Sequence, residues 1–254
     1  MIIRAIFITT IRDKISLFYA AIFPIILMIG VGIFVDSVSY YPQLVTAVLA
    51  ISTLFWGVQG TAFQVFGQRN KGVYKMLKVT PYKTLYFIIM NAIVRALLGI
   101  AINLLVLIVG VIYFDLQISI IGTIQLIGIL AIGTSCFSCL GIFISNLAKN
   151  EGQINMLANL IQIPMVFCSQ SFYSLEQAPS WIKVIGEILP FEYFARLISG
   201  SLFASINGMV VSLLILVCFT LGFLLLGVFT FKWEVDQPVL SVLKGTRFVN
   251  KTTN

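Results

Sequence analysis

Asn155, Asn159 and Gln162 recur at i, i+4 and i+7 in an otherwise apolar stretch, which sets three amide side chains on one helix face just before Pro164. Amides in that pattern either line a wall past which a substrate moves or hydrogen-bond across a seam between packed helices. Asn91 and Arg95, also four apart, pose the same choice; the simpler reading lets the Arg95 head reach the membrane surface along its aliphatic stem. Gln59, three residues after Trp56, is a weaker member of the same class. Other chemistry-bearing constellations are missing from the sequence. The chain has no His, so it offers neither a Ser-His nor a Cys-His nucleophile pair and no histidine metal site. Cys136 and Cys139 form one CxxC inside an apolar run without a second pair, a pattern of small-residue packing. No GxxxxGK[ST] occurs to cradle nucleotide phosphates. The acids sit near the ends of apolar runs, unpaired, and none falls in the middle of one, which argues against an ion-coupled carrier built on buried carboxylates. The chain is therefore expected to carry no catalytic site, metal or cofactor, and to draw energy for any work from another polypeptide.

The elements that must position these residues are set by composition. Of 254 residues, 59% are apolar and 10% charged, against roughly 25% charged in soluble domains; the mean hydropathy is +1.05. Six charge-free stretches of 19 to 35 residues lie between Lys14 and Asp36, Asp36 and Arg69, Arg95 and Asp115, Asp115 and Lys149, Glu151 and Glu176, and Arg196 and Lys232. A helix needs about 20 residues to cross the hydrocarbon, so each stretch holds one span and none holds two with a loop between. The apolar/polar alternation of barrel strands is absent. An all-α integral membrane protein with six transmembrane helices is the expectation.

The spans read as Ile15–Val35 with Pro24 inside, Leu44–Phe66, a third segment over Thr84–Phe114, Ile120–Ile144, a fifth from Ile154 through Pro164, and Met209–Phe231. Arg95 falls inside the third. Either the hydrocarbon begins near Arg95, the preferred reading because Ala96–Phe114 alone can cross, or Arg95 lies in the membrane and faces protein or water. Residues 1–14 suit an amphipathic helix at the interface, retained rather than cleaved as a signal peptide. Residues 15–231 form the helical unit, and 232–254 a polar tail. Cys168–Phe203, with Pro179, Trp181, Pro190 and Tyr193, suits a re-entrant or surface-lying segment on the outer side. With the N-terminus in the cytoplasm, thirteen of the sixteen Lys and Arg fall inside and only Lys183 and Arg196 outside. The net charge of +7 thus orients the chain in its membrane, both termini inside, instead of signalling nucleic acid.

The most charged segment is Gly67–Pro81, GQRNKGVYKMLKVTP. It reads either as a solvated basic loop drawn to anionic lipid or as a short amphipathic helix. In the second case Val73, Met76 and Leu77 enter a partner's apolar groove between Lys71, Lys75 and Lys78.

This loop resembles the first cytoplasmic loop of type-2 ABC exporter permeases, where Glu-Arg-Glu-x-Gly-Thr precedes a leucine and a Thr-Pro. Arg69, Gly72, Leu77, Thr80 and Pro81 match, while Gln68 and Asn70 stand for the two acids and Val73 for the threonine. Leu140–Ile198 also resembles the family's signature stretch: a cytoplasmic turn, a proline-containing fifth helix, an outer segment with Pro-x-Trp and a later Pro-aromatic. Pro164, Pro179, Trp181 and Pro190 fall in place, with Cys168-Ser169-Gln170 where Ser-Gly is usual. The resemblance implies the membrane half of an exporter, with two permease copies, identical or similar, joined to separate ATPase subunits that carry ATP and Mg. Arg69, Lys71, Gly72, Val73, Tyr74, Lys75, Met76 and Leu77 would form the coupling helix in the ATPase groove. Lys149, Asn150 and Glu151 and the amphipathic N-terminus would add secondary contacts. The implied cargo is an amphipathic or hydrophobic peptide, such as a toxin or bacteriocin, or a drug. The rival expectations are an ion-coupled carrier, a non-transporting immunity or anchor protein, and a membrane-embedded enzyme.

Overall fold

In lipid no water serves the backbone, so long runs of Ile, Leu, Val and Phe close their own hydrogen bonds as helix. The computed structural model describes residues 8, 14–35, 37–74, 84–171, 179–203 and 209–232, and every regular element among them is helical. In chain order these are α1 (Lys14–Val35), α2 (Tyr41–Phe55), a π-turn (Trp56–Gly60), α3 (Thr61–Asn70), α4 (Thr84–Phe114), α5 (Ile120–Leu147), α6 (Glu151–Phe167), α7 (Ser180–Ile188), α8 (Pro190–Leu202) and α9 (Met209–Phe229).

Among the described residues four segments are long and apolar enough to cross a bilayer: Tyr41–Asn70, Ile88–Phe114, Ile120–Leu147 and Met209–Phe229. The apolar stretch of α1, Ala20–Val35, is shorter, and α6 has 17 residues with Pro164 inside. Large apolar side chains point outward from α1 (Phe23, Ile26, Phe34), α4 (Leu97, Ile108, Ile112) and α9 (Val210, Leu214, Leu221). A soluble protein could not present so much of that surface; lipid covers it without cost.

The bundle is built around α5, which packs on α2, the π-turn, α3, α4, α6, α8 and α9. Small residues let other backbones come close along its length. A Cβ at Gly122 would overlap the Ser201 carbonyl on α8, one at Gly133 the ring of Phe194, and one at Gly141 the Val58 carbonyl in the π-turn. From the opposite side, a Cβ at Gly57 would lie 3.2 Å from the Phe137 carbonyl carbon. Phe137 stacks edge-on with Phe194 at 5.4 Å and fills the middle of the core.

Two features differ from the sequence expectation, while the third apolar segment forms one helix over the expected Thr84–Phe114, unbroken through Arg95 and closed at its end by Asp115 in the left-handed region (φ 51°) with Leu116 N–H donating to the Val111 carbonyl, a Schellman-type stop. The second apolar run continues past Phe66 to Asn70, interrupted only by the π-turn. Beyond α6, the segment expected to lie on or re-enter the surface divides in two. The short α7 exposes Trp181, Val184 and Ile188, whereas α8 buries Phe191, Phe194, Leu197 and Ile198 among α2, α5 and α9.

Candidate functional site

The segment from α3 into the basic loop carries the first candidate group. Tyr41–Asn70 has 30 residues, about 45 Å of helix against about 30 Å of hydrocarbon, so its basic end projects beyond the apolar layer. Arg69 lies there almost fully buried. Its Nε donates to the Lys232 carbonyl (3.0 Å), Nη1 to the Ser145 carbonyl (2.9 Å) and Nη2 to Asn146 Oδ1 (2.6 Å). Asn146 Nδ2 in turn donates to the Gly227 carbonyl and Thr230 Oγ1. One guanidinium thus ties together the ends of α3, α5 and α9. The sequence reading placed Arg69 among partner-facing cations; its charge is turned inward, because three acceptors that would otherwise be orphaned converge on it.

Past α3 the chain reverses at Gly72 (φ 72°), a conformation that costs glycine nothing. Tyr74 follows, fully buried with its ring 5.7 Å from that of Phe231, and its hydroxyl donates to Gln68 Oε1 at 2.9 Å. Burial pushes its phenol to ionise well above the ordinary range, outweighing the opposing influence of Arg69 and Arg95. Lys71 and Val73 are exposed. Lys75, Met76 and Leu77 lie outside the described residues.

Lys149, Asn150 and Glu151 form the exposed turn between α5 and α6. Asn150 Oδ1 accepts from the Gln153 N–H at 2.8 Å, and Gln153 Oε1 accepts from the Lys149 N–H at 2.9 Å. This reciprocal cap starts α6 at the residue after Asn150, with Glu151 favourably placed in its first turn.

The amide stripe converges on the π-turn. Gln59 Nε2 donates to Asn155 Oδ1 at 2.6 Å, and Gln162 Nε2, fully buried, donates to the Leu54 carbonyl at 3.3 Å. Thr61 and Ser138 hydroxyls meet at 3.3 Å on the side toward α5. Asn159 is half-buried between its neighbours in the stripe, and Pro164 faces outward on the last turns of α6. Two of the three amides therefore hydrogen-bond between helices.

Arg95 joins the same cluster from α4. Its Nη2 donates to the Gly60 carbonyl, its guanidinium carbon lies 4.5 Å from the Trp56 ring centroid, and the Trp56 Nε1–H donates to the Arg95 carbonyl at 3.1 Å. Only 4% of the residue is exposed, so the snorkelling expectation is replaced by an inward-facing cation. Gly60 is ten residues from the end of α3, about 15 Å along the helix. A π-turn loosens the i to i−4 ladder and frees backbone acceptors, and here side chains of α4 and α6 supply donors at both ends of the turn. Asn91, one turn before Arg95, is fully buried with neither amide atom hydrogen-bonded. Lysine cannot both stack on Trp56 and reach Gly60 as the planar fork does. Arg95→Lys is accordingly expected to lower stability by about 1–2 kcal/mol, read as a reduced melting temperature in detergent; a snorkelled cation would tolerate the change.

Several contributors were not singled out from sequence. Asn146 gives no periodic signal. Glu192 and Arg196, four apart on α8, form a 2.7 Å ion pair, with Glu192 Oε2 accepting from the Gln170 N–H; that spacing could have revealed them.

No curated protein matches the chain. The family model described as ABC-2 type transporter matches residues 1–203, most of the chain. Together with a helical bundle whose long apolar members face outward, this match shows that the chain is a multi-pass membrane permease belonging to the ABC-2 type transporter family, whose membrane domains work with ABC ATPase subunits.

Proposed function

We propose that this permease is an exporter subunit that crosses the membrane six times, through α1, the α2–α3 unit, α4, α5, α6 and α9, with both termini in the cytoplasm. The thirteen-to-two distribution of bases supports that orientation. Two copies, or this chain with a similar one, pair with two ATPase subunits that bind ATP and Mg; the permease itself binds no cofactor. The cargo is an amphipathic or hydrophobic peptide or a drug, taken from the cytoplasm or inner leaflet.

One observation carries the mechanical part of this reading. The segment that leaves α3 is seated on the bundle at two points, by Arg69 across α3, α5 and α9 and by Tyr74 against Phe231. A loop fastened in that way moves with the helices, so force applied to it by a nucleotide-driven partner reaches the spans instead of dissipating in the loop. Lys71 and Val73, with Lys75, Met76 and Leu77 beyond them, serve as the docking face, and Lys149, Asn150 and Glu151 as a lesser contact. The ATPase closes around ATP, the docked loop shifts with α3, and the bundle changes which face it opens.

The test is co-purification and transport. Leu77→Asp, or Lys71→Glu combined with Lys75→Glu, is expected to release the ATPase and abolish ATP-dependent export, leaving the permease folded. If assembly and export stay at wild-type level in both variants, the docking assignment is wrong.

A further inference from the structure

At the basic end of the bundle three cations share one corner. The Arg69 guanidinium is committed to the Lys232 and Ser145 carbonyls and to Asn146. Lys232, whose carbonyl takes one of these bonds, is only 7% exposed. Lys149 stands on the adjoining turn after α5. Among the described residues no carboxylate pairs with Lys149 or Lys232, although the ordinary way to bury a cation is to give it one. The Ser145 hydroxyl, on the residue whose carbonyl takes Arg69, is fully buried without a hydrogen-bond partner. Burial lowers the proton affinity of Lys232, and the Arg69 and Lys149 charges lower it further. Like charges gathered in this way call for an anion.

The depth of the corner says which anion. Leu225, Leu226 and Phe229 are exposed on the last turns of α9, in the outward apolar layer, and Lys232 follows three residues after Phe229. The cations therefore stand just past the end of a lipid-facing helix, at headgroup level. We propose that Lys232 and Lys149, framed by Arg69, bind the phosphate of one anionic phospholipid as a defined site on the permease. The inference holds whichever face of the membrane these helix ends occupy, so it stands apart from the export reading. A bound phosphate neutralises the corner and fastens α9 to the α5–α6 turn.

Native mass spectrometry of the full chain tests this, using phosphatidylglycerol and phosphatidylcholine with the same acyl chains. The wild type is expected to retain phosphatidylglycerol in preference, and Lys232→Gln and Lys149→Gln each to reduce that preference about fivefold, as expected for one basic side chain at a charged surface. Lys149 is exposed, so its variant carries the test if Lys232→Gln fails to fold. Equal retention by wild type and both variants overturns the proposal. So does displacement of the lipid by millimolar inorganic phosphate, which would make the site one for a free anion. A phosphatidylglycerol preference that emerges only in Glu234→Gln/Asp236→Asn also overturns it, since the chain's own tail would then be the counter-ion.

Discussion

Arg69→Met should lower the stability of the permease by about 3–5 kcal/mol, at the upper end for a single substitution. The methionine fills much of the volume but leaves the Lys232 carbonyl, the Ser145 carbonyl and Asn146 Oδ1 without the donor that each now has. Each orphaned buried acceptor costs about 1–3 kcal/mol. Relief of repulsion with the neighbouring lysines returns part of that. Arg69→Lys keeps the charge but supplies one point where a three-pronged fork is needed, so an intermediate loss is expected. Thermal unfolding of purified protein in detergent separates the three forms. If Arg69→Met melts with the wild type, the guanidinium does not hold the junction of α3, α5 and α9. Arg69→Lys adds a functional readout: with the loop seated less firmly, partner ATP hydrolysis should continue while export falls, so the ratio of the two separates poor transmission from poor folding.

The second large effect is steric. Gly141→Val is expected to destabilise the bundle by about 3 kcal/mol or more, because inserting side-chain carbon into a filled core forces backbone to move. Even the first carbon of that side chain would overlap the Val58 carbonyl and sit 2.9 Å from that of Gly57. Neither obstacle is a side chain that can swing aside. Gly128 lies on the same helix with nothing within 4 Å of its would-be Cβ. Gly128→Ala is the matched control and should be neutral or slightly stabilising, since alanine favours helix by about 1 kcal/mol over glycine. Size-exclusion profiles and melting curves of the two variants read this directly. Equal behaviour would mean that α5 and the π-turn do not approach as closely as their glycines allow.

Both sites show what a sequence can and cannot disclose. The long apolar elements are legible because lipid forces charge-free runs into helices, but the Asn150–Gln153 cap starts α6 at Glu151, three residues before the Ile154 expected from the apolar run. The amide stripe on α6 is also legible as a stripe. Its partners are not: Gln59 and the Leu54 carbonyl belong to a different helix, and no spacing within α6 identifies them. Arg95 shows the same gap. Seen alone on its helix it invites a surface reading, since nothing in its own segment reveals that the Trp56 ring and the Gly60 carbonyl await it at the two ends of the π-turn. Arg69 was legible through its setting in the loop, but that setting suggests an outward charge. The inward turn depends on Asn146 and on the chain ending α9, which lie 77 and 163 residues away. Tertiary convergence of this kind leaves no periodic trace.

The π-turn has a consequence for how the Tyr41–Asn70 crossing is aligned with others. Winding one additional residue into a single turn makes every position after Gly60 lag by about 100° relative to an ordinary α-helical count from Tyr41. Projecting the whole crossing on one helical wheel therefore misassigns faces in the half after Gly60: the wheel would swing Arg69 away from the α5 junction it occupies. A relative one residue shorter between Phe55 and Thr61 should be superposed with a gap in that interval, and only then do the basic end and the Tyr41 end fall into phase together.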